Sequence, residues 1–429
     1  MIFLYRILTN LLYPILVLLI YLRKLNKKED PIRYKEKIFP KHFDVKRNKD
    51  TILIWFHTAS IGELKSIIPL IQQLNKSNEK IEFLITTVTL SSGNIASKEI
   101  CKFKNVYHRY FPLDINFLLK AFFSSWKPNL IFLVDSEIWP NLILEAKKRG
   151  ITLALLNGRI TKKTFDRWKL IKNFAKNIFC LFDVCFSSNL ETSKYLREFN
   201  VKNVYNFGNL KLINSVDLEK LKNINEDFLK KRRFWFAAST HNGEEVFCLK
   251  THLKLKEKFN DIITIIAPRH IHRVFEIKKL CDDFSLKSQI LNDNEKITLN
   301  KEIIIINSFG ELPNYFKFTK SVFIGKSLIE IFKESGGQNP LEAANCGCKI
   351  YHGPFVYNFQ EIYEILNNNK ISKRIKNYHE LSENLILDFN NTDQKSENVL
   401  AIMKELSDKT NKDHIKYINK LIRNENIQA

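Results

Sequence analysis

Residues 51–75 read TILIWFHTASIGELKSIIPLIQQLN. Thr51 to Phe56 is an apolar run of strand length, and Leu64 to Asn75 then brings apolar residues back every three or four positions. A buried strand passing through a short loop into an amphipathic helix is the opening of a βαβ unit. Outward from it the pattern recurs. Ile81 to Thr86, Leu130 to Val134, Thr152 to Leu156 and Val184 to Ser187 read as buried strands, and Leu142 to Arg149 is among the intervening helices. After a charge-dense stretch around Leu212 to Arg233 the alternation restarts with Phe234 to Ala238, Ile262 to Ala267, Glu302 to Ile306, Ser321 to Ile324 and Lys349 to Tyr351. Such alternation implies parallel sheets covered on both faces. Two α/β halves are expected, joined near residues 210–230, with ligands in a deep cleft outside the carboxyl ends of the strands.

At 429 residues the chain is too long for one ordinary core. A formal charge of +22 favours anionic partners, although lysine-, asparagine- and isoleucine-rich usage accounts for part of it. No helix-turn-helix or RNA-binding signature accompanies the charge, so nucleic acid is not the expected partner. The seven cysteines, at 101, 180, 185, 248, 281, 346 and 348, have neither zinc spacing nor companion histidines and read as free thiols of a reducing compartment.

Met1 to Leu22 is almost wholly apolar and is followed by Arg23, Lys24, Lys27 and Lys28. As a helix it would measure roughly 33 Å, about the thickness of a bilayer core. It lacks the small-residue cleavage site of a signal peptide. Its length favours spanning, whereas Arg6 and Asn10 favour partial embedding. Either way the basic run places the bulk of the chain on the cytoplasmic side.

Chemistry gathers after the strands. Glu63, at the head of a helix after the first strand, could accept a proton from an incoming hydroxyl, and the helix dipole alone also accounts for an acid there. Asp135-Ser136-Glu137 follows the third strand. Its spacing permits a metal pair, or Glu137 could serve to orient or charge-stabilise a reacting group near Glu63. Gly208-Asn209-Leu210-Lys211 puts a cation at the joint between halves. In the second half, Pro268-Arg269 offers a guanidinium that can fork onto a phosphate. Ser308-Phe309-Gly310-Glu311 offers loop amides. Gly336-Gly337 runs into Asn339-Pro340-Leu341-Glu342, a proline-opened helix suited to an anion, with Glu342 suited to sugar hydroxyls.

Taken in order, these segments resemble the 3-deoxy-D-manno-octulosonic acid (Kdo) transferase family. The match rests on Ile54-Trp55-Phe56-His57 through Gly62-Glu63, Ser136 to Asn141, Asn157-Gly158-Arg159, Gly208 to Lys211, Ala238 to His241 with Gly243-Glu244-Glu245, Pro268-Arg269-His270, Gly310-Glu311, Gly336-Gly337 with Asn339 to Glu342, and Gly353-Pro354 with Asn358-Phe359. The resemblance implies a GT-B type glycosyltransferase, two Rossmann-like domains facing a cleft behind an N-terminal membrane-associated helix. It also implies transfer of Kdo from CMP-Kdo to the lipid A precursor (lipid IVA) at the cytoplasmic side of the inner membrane, without metal or cofactor. By the same resemblance Glu63 is the general base and Glu137 and Lys211 stabilise the transition state. Pro268, Arg269, Phe309, Gly310, Glu311, Asn339, Pro340, Leu341 and Glu342 would hold CMP. The domains expected are an anchor at 1–24, an acceptor domain at 25–210, a linker at 211–230, a CMP-Kdo domain at 231–370 and a helical segment at 371–429. The chain departs from the family pattern at Lys326, Gln338 and Phe309, all close to the donor residues.

Overall fold

A computed structural model describes every residue except 44, 46, 48, 49, 78, 79, 101, 102, 214, 215, 309, 392–396 and 429. The chain divides into two compact units, Met1–Asn214 with Ser407–Ala429, and Ser215–Leu406. Each is built on a seven-stranded sheet in which all recorded pairings are parallel.

The first sheet comprises β1 (Ile52–Thr58), β2 (Ile81–Thr87), β3 (Val106–Tyr110), β4 (Leu130–Val134), β5 (Thr152–Gly158), β6 (Val184–Ser187) and β7 (Val204–Asn206). Their order is β3-β2-β1-β4-β5-β6-β7, so the winding reverses between β1 and β4. Successive side chains on a strand point to opposite faces, which is why the continuous apolar runs serve two cores at once. Leu53 and Trp55 join one core with Leu119, Phe122 and Trp126 of the helix Asn116–Trp126. Ile54 and Phe56 join the other with Leu64, Ile67 and Leu74 of the helix after β1. Ile418 and Ile422, from the long helix Glu397–Gln428, complete that second core.

The helix α1 (Ile2–Leu25) is docked by one face onto this unit. Ile2, Tyr5, Tyr13 and Leu16 pack against the first core, and Val17 packs with Tyr34 and Ile38. Tyr5 donates its hydroxyl to Asp114 at 2.8 Å and Tyr13 to the Ile38 carbonyl at 2.7 Å. Phe3, Leu4, Ile7, Leu8, Leu11, Ile15 and Leu18, on the remaining faces, are exposed.

The second sheet comprises β8 (Phe234–Thr240), β9 (Ile263–Pro268), β10 (Ser288–Leu291), β11 (Ile303–Ile306), β12 (Ser321–Ile324), β13 (Lys349–His352) and β14 (Ser372–Arg374), in the order β10-β11-β9-β8-β12-β13-β14. Its winding reverses between β8 and β12. The expected helical segment at 371–429 is corrected here: Ser372–Arg374 is a strand paired with β13, and residues 407–429 return to the first unit. Among the described cysteines Cys180 is exposed and Cys185, Cys248, Cys281, Cys346 and Cys348 are buried, while Cys101 lies outside the described residues.

Candidate active site

At the carboxyl end of β1 the loop folds a carboxylate back onto itself. Ser60 precedes the helix α2 (Ile61–Ser77) and Glu63 lies in its first turn, an S-x-x-E capping box. Ser60 Oγ accepts from the Glu63 amide at 3.3 Å. In return Glu63 Oε2 accepts from the amides of Ala59 at 2.7 Å and Ser60 at 3.4 Å, and Oε1 accepts from the Ser60 hydroxyl at 2.8 Å. Burial acts most strongly on this carboxyl and raises its pKa. The bonds from Ala59 and Ser60 oppose it, the charges of Asp135 and Glu137 add to it, and the result lies at about 7. A carboxyl titrating there can take up and release a proton near neutrality, and each carboxylate oxygen has more than one acceptor direction.

Asp135 follows β4, directly across the point where the winding reverses. Its backbone is left-handed at φ 62°, held by its amide to the Leu156 carbonyl at 2.9 Å and by the Arg159 amide to its own carbonyl at 3.1 Å. Aspartate and asparagine tolerate that conformation better than most residues, and Asn157, at the end of β5, shares it at φ 55°. Asn157 Oδ1 accepts from the Leu210 amide at 2.9 Å, which fixes the turn Leu210–Ile213 and brings Lys211 Nζ to 2.9 Å from Asp135 Oδ2.

Glu137 turns elsewhere. Its Oε2 accepts from Trp139 Nε1 at 2.8 Å and lies 3.3 Å from His57 Nε2, within ion-pair distance but without hydrogen-bond alignment. His57 is fully buried, stacked on Phe111 with ring centroids 3.9 Å apart, and its Nδ1 is 2.9 Å from Thr86 Oγ1. Thr86 also accepts from Trp55 Nε1 at 2.8 Å. Parallel pairing sets this chain, because His57 and Thr86 are register partners on β1 and β2. Glu63, Glu137 and Lys211 therefore gather at one sheet edge, but Lys211 pairs with Asp135 rather than Glu137. The two acids read as a possible metal pair have separate partners. His57 and Thr86 were not singled out from sequence; a histidine ending an apolar strand was the available signal.

In the second unit the predicted donor residues also line the carboxyl edge of a sheet. Pro268 ends β9 and is buried. Arg269 is exposed, and its amide donates to the Thr240 carbonyl at 3.0 Å. Gly310 adopts φ 83° after β11, and Glu311 Oε2 accepts from Asn314 Nδ2 at 2.5 Å. Phe309 lies outside the described residues. Asn339 is exposed and its side chain accepts from the Leu341 amide at 3.1 Å. Pro340 and Leu341 are buried, and Glu342 is half-buried in the short helix Leu341–Asn345. The glycine pair does not present its amides as expected. Gly336 N donates to the Phe332 carbonyl and Gly337 N to the Lys326 carbonyl, each at 2.6 Å, so both are spent inside the fold. A Cβ on Gly336 would collide with the carbonyl of Phe355. Close chain packing explains glycine there.

Two parallel α/β units with polar groups at the strand ends are the architecture of GT-B glycosyltransferases. A glycosyltransferase from Rickettsia africae ESF-5 shares that fold, with a TM-score of 0.56 at 11% identity over 87% of this chain and 100% of that one. The family model described as 3-Deoxy-D-manno-octulosonic-acid transferase (kdotransferase) matches residues 33–214. A 3-deoxy-D-manno-octulosonic acid transferase of Rickettsia bellii (strain RML369-C) is 34% identical over 91% of each chain. One from Haemophilus influenzae is 29% identical over 73% of each. The chain belongs to the Kdo transferase family, and Kdo transfer in lipopolysaccharide synthesis is the activity that membership carries.

Proposed function

We propose that this chain transfers Kdo from CMP-Kdo to a sugar hydroxyl of the lipid A precursor lipid IVA, with Glu63 as general base. The observation that carries the reading is a carboxyl held near pH 7 beside two further acids. Glu63 takes the acceptor proton as the hydroxyl oxygen attacks the anomeric carbon of Kdo, and the bond from that carbon to the CMP phosphate breaks. Glu137, fixed by Trp139, offers negative charge to the electron-poor sugar, and Lys211, held by Asp135, offers a cation. No metal is part of the proposal, since Lys211 already faces the acid that would bind one.

Pro268, Arg269, Phe309, Gly310, Glu311, Asn339, Pro340, Leu341 and Glu342 are the residues proposed to hold CMP. With the glycine amides spent, Arg269 is the principal phosphate ligand. Arg269→Lys, which loses the forked geometry, is expected to raise KM for CMP-Kdo about tenfold with kcat within about threefold. An unchanged KM would remove Arg269 from the donor site.

His57 fits a positioning role toward Glu137. His57→Phe keeps a ring on Phe111 but no nitrogen, and kcat is expected to fall about tenfold with KM nearly unchanged. Thr86→Val should act through the same pair, so the double variant is expected to be no worse than the more impaired single one. Additive losses would separate the two residues.

The helix α1 is proposed to lie along the cytoplasmic face of the inner membrane rather than to cross it. Its most apolar stretch has a mean hydropathy of 1.9, yet from Ile2 to Ile20 one face is packed or bonded to the globular unit and is not free to meet lipid. The overall test is the mass of lipid IVA after incubation with CMP-Kdo. One or more added Kdo units are expected; transfer from a UDP-hexose instead would overturn the donor assignment.

A further inference from the structure

The first unit carries a second apolar feature outside α1. The helices Lys162–Leu170 and Lys172–Phe179 meet at a corner where Leu170 is 86% and Ile171 38% exposed. Neither is needed by the core, which takes Phe165, Phe174, Ala175, Ile178 and Phe179 from these two helices. Residues 162–176 hold six cations, Lys162, Lys163, Arg167, Lys169, Lys172 and Lys176, against one acid, Asp166. Helical periodicity puts Lys163, Arg167 and Leu170 on the face opposite buried Phe165. An apolar tip rimmed by cations matches the boundary between acyl chains and anionic headgroups, where basic residues are attracted and leucine is desolvated.

The corner also adjoins the proposed membrane helix. Phe174, one turn beyond Ile171, packs its ring 6.0 Å from that of Tyr5 on α1. That contact sets the corner beside the N-terminal part of α1.

We infer that the Leu170–Ile171 corner is a second lipid contact, seated in an anionic bilayer beside α1. The inference rests on the interfacial reading of α1 but can fail separately from it. One-point attachment by α1 would leave the unit free to roll about the helix axis, whereas a second contact fixes its orientation to the surface.

The test is flotation of the full chain with vesicles of phosphatidylcholine, alone or mixed with phosphatidylglycerol. Leu170→Gln with Ile171→Gln is expected to weaken binding to the mixed vesicles about tenfold without changing thermal stability. Lys163→Gln with Arg167→Gln is expected to reduce the preference for mixed over neutral vesicles. Retention of parental binding by both double variants would overturn the second contact while leaving α1 in place. Failure of the parent chain to float with either vesicle would instead remove the membrane reading, and the corner with it. Binding to mixed vesicles that the apolar variant leaves intact and the charge variant abolishes would show electrostatic adhesion without insertion, which also overturns the proposal.

Discussion

Glu63→Gln is expected to lower kcat for Kdo transfer by about 10²- to 10⁴-fold, the range that general-base catalysis usually contributes. Glutamine also satisfies the last position of a capping box, so the Ala59–Ser60 turn and the start of α2 should persist. Circular dichroism and membrane attachment should match the parent. Transfer at more than about a tenth of the parental rate would exclude Glu63 as the base.

The same substitution reports on pH. Activity of the parent should rise as pH passes through about 7, because the base works only when ionised. Stability runs the other way. The folded pKa of Glu63 lies above its ordinary value of 4.5, so its favourable contribution is fully present below that value and is lost as pH rises through 7. Glutamine carries no such dependence. Glu63→Gln should therefore gain stability relative to the parent between pH 5 and 8, by an amount on the order of 3 kcal/mol at full ionisation. A difference in melting temperature that stays constant across that interval would mean that Glu63 is not held near neutrality.

That carboxyl shows where sequence stops being sufficient. Ser60-Ile61-Gly62-Glu63 announces a helix start, but what lifts its pKa is burial together with Asp135 and Glu137, more than seventy residues away in the chain. The Asp135–Lys211 pair spans a similar separation and depends on two left-handed residues, Asp135 and Asn157, that no periodicity reveals. The glycine pair was misread for a related reason. The Phe332 and Lys326 carbonyls take the two amides, and the Phe355 carbonyl, from the loop after β13, closes on Gly336, so only the folded packing shows that the chain itself occupies those amides.

The strands divide along physical lines as well. The ten central strands were legible because both faces of each are buried, giving apolar runs such as Leu130–Val134. The four that were missed, β3, β7, β10 and β14, are the edges of the two sheets. Val106–Tyr110 alternates buried and half-buried residues, and Ser372–Arg374 buries only its first. Edge strands are short and polar because an apolar edge would invite further pairing, and those properties erase the signal. The C-terminal helix hid its buried face similarly: Thr410, His414, Ile418 and Ile422 fall on one stripe of an otherwise polar sequence.

Glu244→Ala is expected to be the most destabilising single change in the second unit. Glu244 opens the helix Glu244–Lys256 where the winding reverses between β8 and β12, and its side chain is fully buried. Oε2 accepts from the amides of His241 at 2.9 Å and Lys326 at 2.7 Å, and Oε1 from those of Ser327 at 2.9 Å and Leu328 at 3.1 Å. One carboxylate thus closes the loop after β12 onto the loop after β8. The structure propagates from there: the Lys326 carbonyl receives Gly337 N, and the Ser327 carbonyl receives Phe355 N at 2.8 Å. Gly325 completes the fit, since a Cβ there would lie 2.7 Å from Glu244 Oε2. Alanine would take the acceptor from four amides, that of Ser327 buried and the other three partly buried, at roughly 1–3 kcal/mol for each left unpaired, so a loss of about 4 kcal/mol is expected. In calorimetry that corresponds to a fall of about 10 °C or more in the transition of this unit. Glutamine can accept through one oxygen only and turns its NH₂ toward the remaining amides, so Glu244→Gln should also destabilise, by less. A melting temperature within about 2 °C of the parent for Glu244→Ala would mean that the loop after β12 does not depend on this carboxylate.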